Sequence, residues 1–172
     1  LESTAMLWAS SYMVLGKGID KTTAAMWGSL FCIGITVGRL ASGFLTMRLS
    51  DPSMIRLGQA LVLTGVIIML LPLPHHIGTI AGLMVIGLGC APIYPCVIHS
   101  TPTYFGKDKS QAIVGMQMAF AYVGSMCMPP LFGLIAQHVS VNLFPFYLVV
   151  FLVLMVAMHE TLRRKCGDRA AA

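Results

Sequence analysis

From Leu57 to Gly106, and again from Ser110 to His159, the chain runs without a single Asp, Glu, Lys or Arg. Each stretch is roughly twice the ~20 residues that an α-helix needs to cross a bilayer, so each reads as two crossings joined by a short turn. Between them lies the triplet Lys107, Asp108 and Lys109, a charged knot suited to water. A backbone in lipid must satisfy its own polar groups, which leaves helices or closed barrels. These runs lack the alternation of barrel strands, so helices follow. The expected fold is all-α, that of a polytopic membrane protein.

Composition agrees. A hydrophobic share of 57%, a charged share of 10% and a mean hydropathy of +0.83 leave too little polar surface to cover a soluble globule. The net charge of +5 does not point to nucleic acid, because the basic residues are dispersed between apolar segments rather than gathered on one patch. Cys32, Cys90, Cys96, Cys127 and Cys166 show no CxxC spacing. Four of them lie inside apolar segments, where a thiol acts as a small packing group, so no disulfide framework is expected.

Hydropathy and breakers place six helices, at about Leu1 to Leu15, Thr23 to Met47, Met54 to Leu73, Ile77 to His99, Ser110 to Ala136 and Leu143 to Met158. The connections are short: Gly16/Gly18/Asp20, Ser50-Asp51-Pro52, Pro72 to His76, Thr101 to Lys109, and Gln137 to Asn142. Residues 1–161 form the bundle and 162–172 a basic tail. Arg48, Arg56, Lys107, Lys109, Arg163, Arg164, Lys165 and Arg169 collect on one side and only Lys17 and Lys21 on the other, which puts that first side, with the C-terminus, in the cytoplasm. The first apolar stretch opens on Leu1 and is short for a crossing, so the chain reads as a fragment. Small residues at Gly34/Gly38/Ser42, Gly78/Gly82 and Gly115/Ala119 allow close helix contact.

Arg39 is the sharpest polar feature. It lies eight positions before the inner end of its helix, roughly 12 Å deep at 1.5 Å per residue. Such a charge either snorkels to the interface or faces a bundle interior or aqueous cavity. Glu2, about 21 Å below the outer face, comes to a similar depth and is the candidate partner, unless it is merely interfacial. Trp8, Ser11 and Tyr12 follow Glu2 on the same helix, and their i, i+3, i+4 spacing gathers the three on one face. Aromatic rings with polar tips suit either a sugar-like solute or the interface belt.

In the fourth helix, Gly87-Leu88-Gly89-Cys90-Ala91-Pro92-Ile93-Tyr94-Pro95 combines glycines with two prolines. Proline removes a backbone donor, so the helix can kink or unwind where it lines a cavity. Pro129-Pro130 marks the fifth helix likewise. There Gln111, Tyr122 and Ser125 share a face with Met118, and Gln117 projects about a quarter turn away. A bundle-facing hydrogen-bond network and direct solute contact both fit. His75, His76 and His99 have no carboxylate or Cys at ligand spacing, so no metal site is expected. GxSxG, HExxH and a phosphate-cradling Gly loop are absent, and no enzyme is expected.

Six helices with both ends cytoplasmic, and Gly43-Phe44-Leu45-Thr46-Met47-Arg48 closing the second, resemble the C-terminal half of a major facilitator superfamily transporter. Gly43, Leu45 and Arg48 match that family's G-x-L-x-D-R motif, while Met47 stands where its Asp belongs. Glu2-x5-Trp8-x3-Tyr12, GLGCAPIYP and GMQMAFAYVGSMCMPPLFG are similar to the fucose-permease-like and sugar porter branches. The resemblance implies one half of a twelve-helix fold, with the first, second, fourth and fifth helices lining a cavity and the third and sixth facing lipid. It implies secondary transport of a small polar solute by alternating access in the cell membrane, with a missing six-helix half as partner.

On that reading Glu2, Trp8, Tyr12, Arg39, Tyr94, Gln117 and Tyr122 are the cavity candidates. Gly43, Arg48, Pro92, Pro95 and Pro129 are the gating and motif candidates. No bound cofactor is called for, and the resemblance leaves room for coupling to a proton or cation gradient, whose carboxylates it places mostly in the other half. The competing reading is a six-helix scaffold or receptor-like binding protein that moves nothing.

Overall fold

The computed structural model describes residues 1–71 and 76–170, with 107, 108 and 166–170 described by backbone alone. Leu73, the expected end of the third helix, and His75 lie outside the described residues, as do residues 171 and 172. The elements run α1 (Glu2–Ser11), a π-helical turn (Tyr12–Gly16), α2 (Lys21–Leu45), α3 (Asp51–Leu70), α4 (Ile77–Phe105), α5 (Lys107–His138), a 3₁₀ turn (Val141–Leu143) and α6 (Phe144–Ala170).

Local chemistry sets the boundaries. Gly18 takes φ +68°, which reverses the chain without a Cβ penalty. Asp20 then caps α2 by accepting from the backbone N–H of Thr22 at 3.0 Å and Thr23 at 3.3 Å, so the helix starts two residues earlier than expected. Residues 101–105, expected in a connection, belong to α4. Pro102 hinders the turn before it, yet its own carbonyl still accepts from Gly106 N–H at 2.9 Å. Gly106, at φ +80°, is the break. Residues 162–170, set apart above as a tail, are the last turns of α6.

Helix α4 is the organising rod, packing most extensively against α3 and α2. Both interfaces are built on glycine. A Cβ at Gly58 or Gly65 of α3 would come within 2.6 Å of the Gly89 carbonyl or 2.8 Å of the Gly82 carbonyl of α4. On the opposite side, Gly34 abuts the Met84 carbonyl and Gly87 abuts the Phe31 carbonyl. In lipid, helices gain little from apolar burial alone, and such backbone approach maximises van der Waals contact. Gly115, expected in a similar contact, has nothing within 4 Å.

The prolines do not unwind α4, which stays helical through Pro92, Pro95 and Pro102. Pro92 cannot donate to the carbonyl of Leu88, four residues earlier. That carbonyl lies against Gly38, where an added Cβ would sit 2.7 Å from its oxygen. The freed acceptor is thereby shielded in the α2–α4 interface.

A second core joins α1, α5 and α6 through rings. Phe132 stands at its centre, 5.2 Å from Trp8, 5.6 Å from Phe144 and 5.0 Å from Tyr147 between ring centroids. Tyr12 lies 5.1 Å from Phe144. Phe132, Phe144 and Leu148 are fully buried.

Among the described residues, five helical stretches are long and apolar enough to cross a membrane: Lys21–Leu45, Asp51–Leu70, Ile77–Phe105, Lys109–His138 and Val141–Lys165. The ten residues of α1 and the five of the π turn rise only about 22 Å, short of a ~30 Å hydrocarbon core.

Candidate functional site

Gly38 packs on Leu88 and Ala91 of α4, and the next residue, Arg39, borders the same space as Ala91 and Tyr94. There a cleft of about 600 Å³ opens, lined by Glu2, Arg39, Tyr94, Tyr122 and Ser125 among others. Its walls come from α1, α2, α4 and α5, with Phe151 contributed by α6. Nη2 of Arg39 is 3.9 Å from Oε1 of Glu2, the long end of an ion pair. Both side chains stay open to the cleft, Arg39 at 66% and Glu2 at 40% exposure. Much of the guanidinium's donor fork therefore faces open space.

Two phenols face the same cleft. Tyr94 is 45% exposed and Tyr122 71%. The Ser3 hydroxyl donates to Ser125 Oγ at 3.0 Å, joining α1 to α5. The lining combines one cation, one carboxylate, two phenols and three aliphatic hydroxyls, those of Ser3, Thr4 and Ser125, so its formal charge is balanced. Such a set holds a neutral polar molecule by hydrogen bonds from several sides. Ser3 was not singled out from sequence, because adjacency to Glu2 puts it on a different helix face by periodicity alone.

Three of the cavity candidates lie elsewhere. Trp8 turns toward α5, where its Nε1 donates to the Pro129 carbonyl at 3.0 Å and its ring packs edge-on to Phe132. Tyr12 is buried in the aromatic core, with the Lys17 ammonium 5.8 Å from its ring centroid. Gln117 bridges α5 to α4: its Oε1 lies 3.1 Å from the Thr101 hydroxyl, which is also 3.0 Å from the Val97 carbonyl. Ring size and polarity fitted a solute or the interface belt, and the aromatic partners on α5 and α6 place Trp8 and Tyr12 in a core instead.

Pro95 lines the cleft. Pro92 stands one turn of α4 earlier, and Pro129 is buried where Trp8 meets α5. At the end of the bundle that carries Ser50, Arg56 Nη2 donates to Glu160 Oε2 at 2.9 Å, and Arg163 lies 3.4 Å from the same carboxylate. His99 Nδ1 is 2.7 Å from Asp51 Oδ2. No carboxylate stands near His99 in sequence; the partner is 48 residues away and the fold brings it in.

Residues 2–164 match the profile of the Major Facilitator Superfamily. The chain belongs to that superfamily. An uncharacterized MFS-type transporter from Yersinia pestis is 24% identical over 156 residues, covering 91% of this chain and 40% of that protein. The chain thus spans less than half the length of this curated relative. No solved structure matches. The family match takes in every cleft residue from Glu2 to Phe151. It also takes in the motif region: Gly43 has nothing within 4 Å, and the backbone N–H of Arg48 closes a turn onto the Leu45 carbonyl at 3.0 Å. Among the described residues Arg48 has no ionic partner.

Proposed function

We propose that this chain is the C-terminal six-helix half of a twelve-helix secondary transporter, which moves a small, neutral, sugar-like solute across the cell membrane by alternating access. On this reading α1 belongs to the first of six crossings and the C-terminus is cytoplasmic, as the distribution of Lys and Arg favours. One observation carries it: Glu2, Arg39, Tyr94 and Tyr122, from four different helices, converge on a single open cleft. A scaffold has no need of a charge-balanced polar lining at bilayer depth, where ionisable groups are costly.

In this mechanism Arg39 and Glu2 act as a split clamp. A solute hydroxyl entering the 3.9 Å gap accepts from the guanidinium while donating to the carboxylate, and Tyr94 and Tyr122 close over the ring. The other half supplies the opposite wall, and rocking of the two halves exposes the solute to each side in turn. Coupling to a proton or cation gradient is compatible with this scheme.

Solute uptake by vesicles containing the full-length protein is the test. Arg39→Ala and Glu2→Ala each abolish uptake, and the exchange Glu2→Arg with Arg39→Glu recovers part of it. Unchanged uptake in Arg39→Ala, with Tyr94→Phe and Tyr122→Phe also silent, overturns the assignment.

A further inference from the structure

Pro92, Pro95 and Pro102 lie inside α4, and Pro129 and Pro130 inside α5, yet both helices stay wound through them. Each proline lacks the N–H that would close onto the carbonyl four residues earlier. The carbonyls of Leu88, Ala91, Ile98, Ser125 and Met126 therefore lose their ordinary helical donor. In a membrane such an acceptor is tolerated where protein covers it or where it borders a solvated space. That of Leu88 is covered by α2 at Gly38.

Ala91 and Ser125 stand differently, because both line the solute cleft, one on α4 and the other on α5. A helical carbonyl points along the axis toward the residues three and four positions on. For Ala91 these are Tyr94 and Pro95, and for Ser125 the first of them is Met128; all three line the cleft as well. Protein donors go to the neighbouring carbonyls instead. The Tyr147 hydroxyl donates to Met128 at 3.0 Å and Trp8 Nε1 to Pro129 at 3.0 Å. Among the described residues no side chain donates to the carbonyl of Ala91 or of Ser125; Ser3 meets Ser125 at its hydroxyl.

We infer that the cleft reads hydroxyl protons of its solute through two backbone acceptors, the carbonyls of Ala91 and Ser125, which Pro95 and Pro129 keep free. The inference rests on the transport reading and deepens it, by naming the solute as polyhydroxylated rather than one whose polar atoms only accept. Glu2 and the two carbonyls accept and do not donate, so three acceptors on three helices each call for a proton from the solute. A site built to bond a hydroxyl rejects the analogue that lacks it, because its own polar group is then left unpaired. Replacing the side chain of Ala91 or Ser125 leaves the acceptor in place. Replacing the proline one turn on supplies an N–H that occupies it.

Uptake of radiolabelled D-glucose, D-galactose and D-mannose by vesicles containing the full-length protein, followed by competition with the monodeoxy and monodeoxyfluoro series of the best of them, tests this. Fluorine keeps the size of a hydroxyl but brings no proton. At two ring positions both replacements are expected to compete about threefold to tenfold more weakly than the parent sugar. Pro95→Ala removes the discrimination at one of these positions and Pro129→Ala at the other, each raising KM with little change in maximal rate. Pro102→Ala, away from the cleft, keeps both. Discrimination that is the same in Pro95→Ala, Pro129→Ala and the parent overturns the carbonyl assignment and leaves the transport reading standing. Fluoro analogues that compete as well as the sugar in the parent protein overturn it too, whether or not a proline variant folds. Uptake of none of the three hexoses by the parent refutes the sugar-transport reading, and this inference with it.

Discussion

The α3–α4 interface and the α1–α5–α6 core solve one packing problem in opposite ways. In the first, backbones touch: Gly58 and Gly65 on α3 meet Gly89 and Gly82 on α4, each pair seven residues apart and the strands of contact antiparallel. In the second, rings hold the helices apart and fill the space between them. Close backbones leave no room for a solute, and spaced ones do. The polar cleft accordingly opens where α4 gives way to α5, whose Tyr122, Val123 and Met126 stand exposed.

The contrast is broken most severely at Gly82. A side chain there meets the Gly65 carbonyl at 2.6 Å and the Met69 backbone at 2.9 Å, so neither neighbour yields. Gly82→Leu is expected to abolish monodisperse folded protein on size-exclusion chromatography, while Gly115→Leu, in open space, elutes like the parent. Next comes the ring core. Phe132→Ala should cost about 3–5 kcal/mol, measured by denaturant unfolding in detergent, and Phe120→Ala, exposed on the same helix, a small fraction of that. Trp8→Phe keeps the ring stack and removes only the bond to the Pro129 carbonyl; a loss of about 1 kcal/mol is expected in the same assay. The smallest effect belongs to Ser125→Ala, which removes one exposed hydroxyl pair with Ser3. Stability changes by less than about 0.5 kcal/mol there, with the measurable consequence a weaker solute affinity.

Helix existence was legible because a 50-residue uncharged run, Leu57 to Gly106, has few other physical solutions. The approach of Glu2 to Arg39 was legible too, since rise per residue converts position along two antiparallel helices into distance, and the two side chains come within 3.9 Å. What periodicity does not encode is the partner across an interface. Gly34 and Gly38 stood out by four-residue spacing, but Gly58 and Gly65, a heptad apart, matter equally and carry no short-range signal. Trp8 shows the same limit from the other side. Its chemistry suits a solute pocket, and only the placement of Phe132, more than a hundred residues on, claims it for the core. Asp51 and His99 likewise become partners only through the docking of α3 on α4.

The π-helical turn at Tyr12–Gly16 gives α1 a tolerance that its neighbours lack. A wide turn holds one more residue than an α turn in the same rise, and excision of that residue restores ordinary winding with the flanking faces unmoved. A one-residue deletion there should leave Trp8 on Phe132 and Glu2 beside Arg39. The same deletion within α4, between Gly82 and Gly89, swings everything beyond it by roughly 100°, and the seam on α3 comes undone.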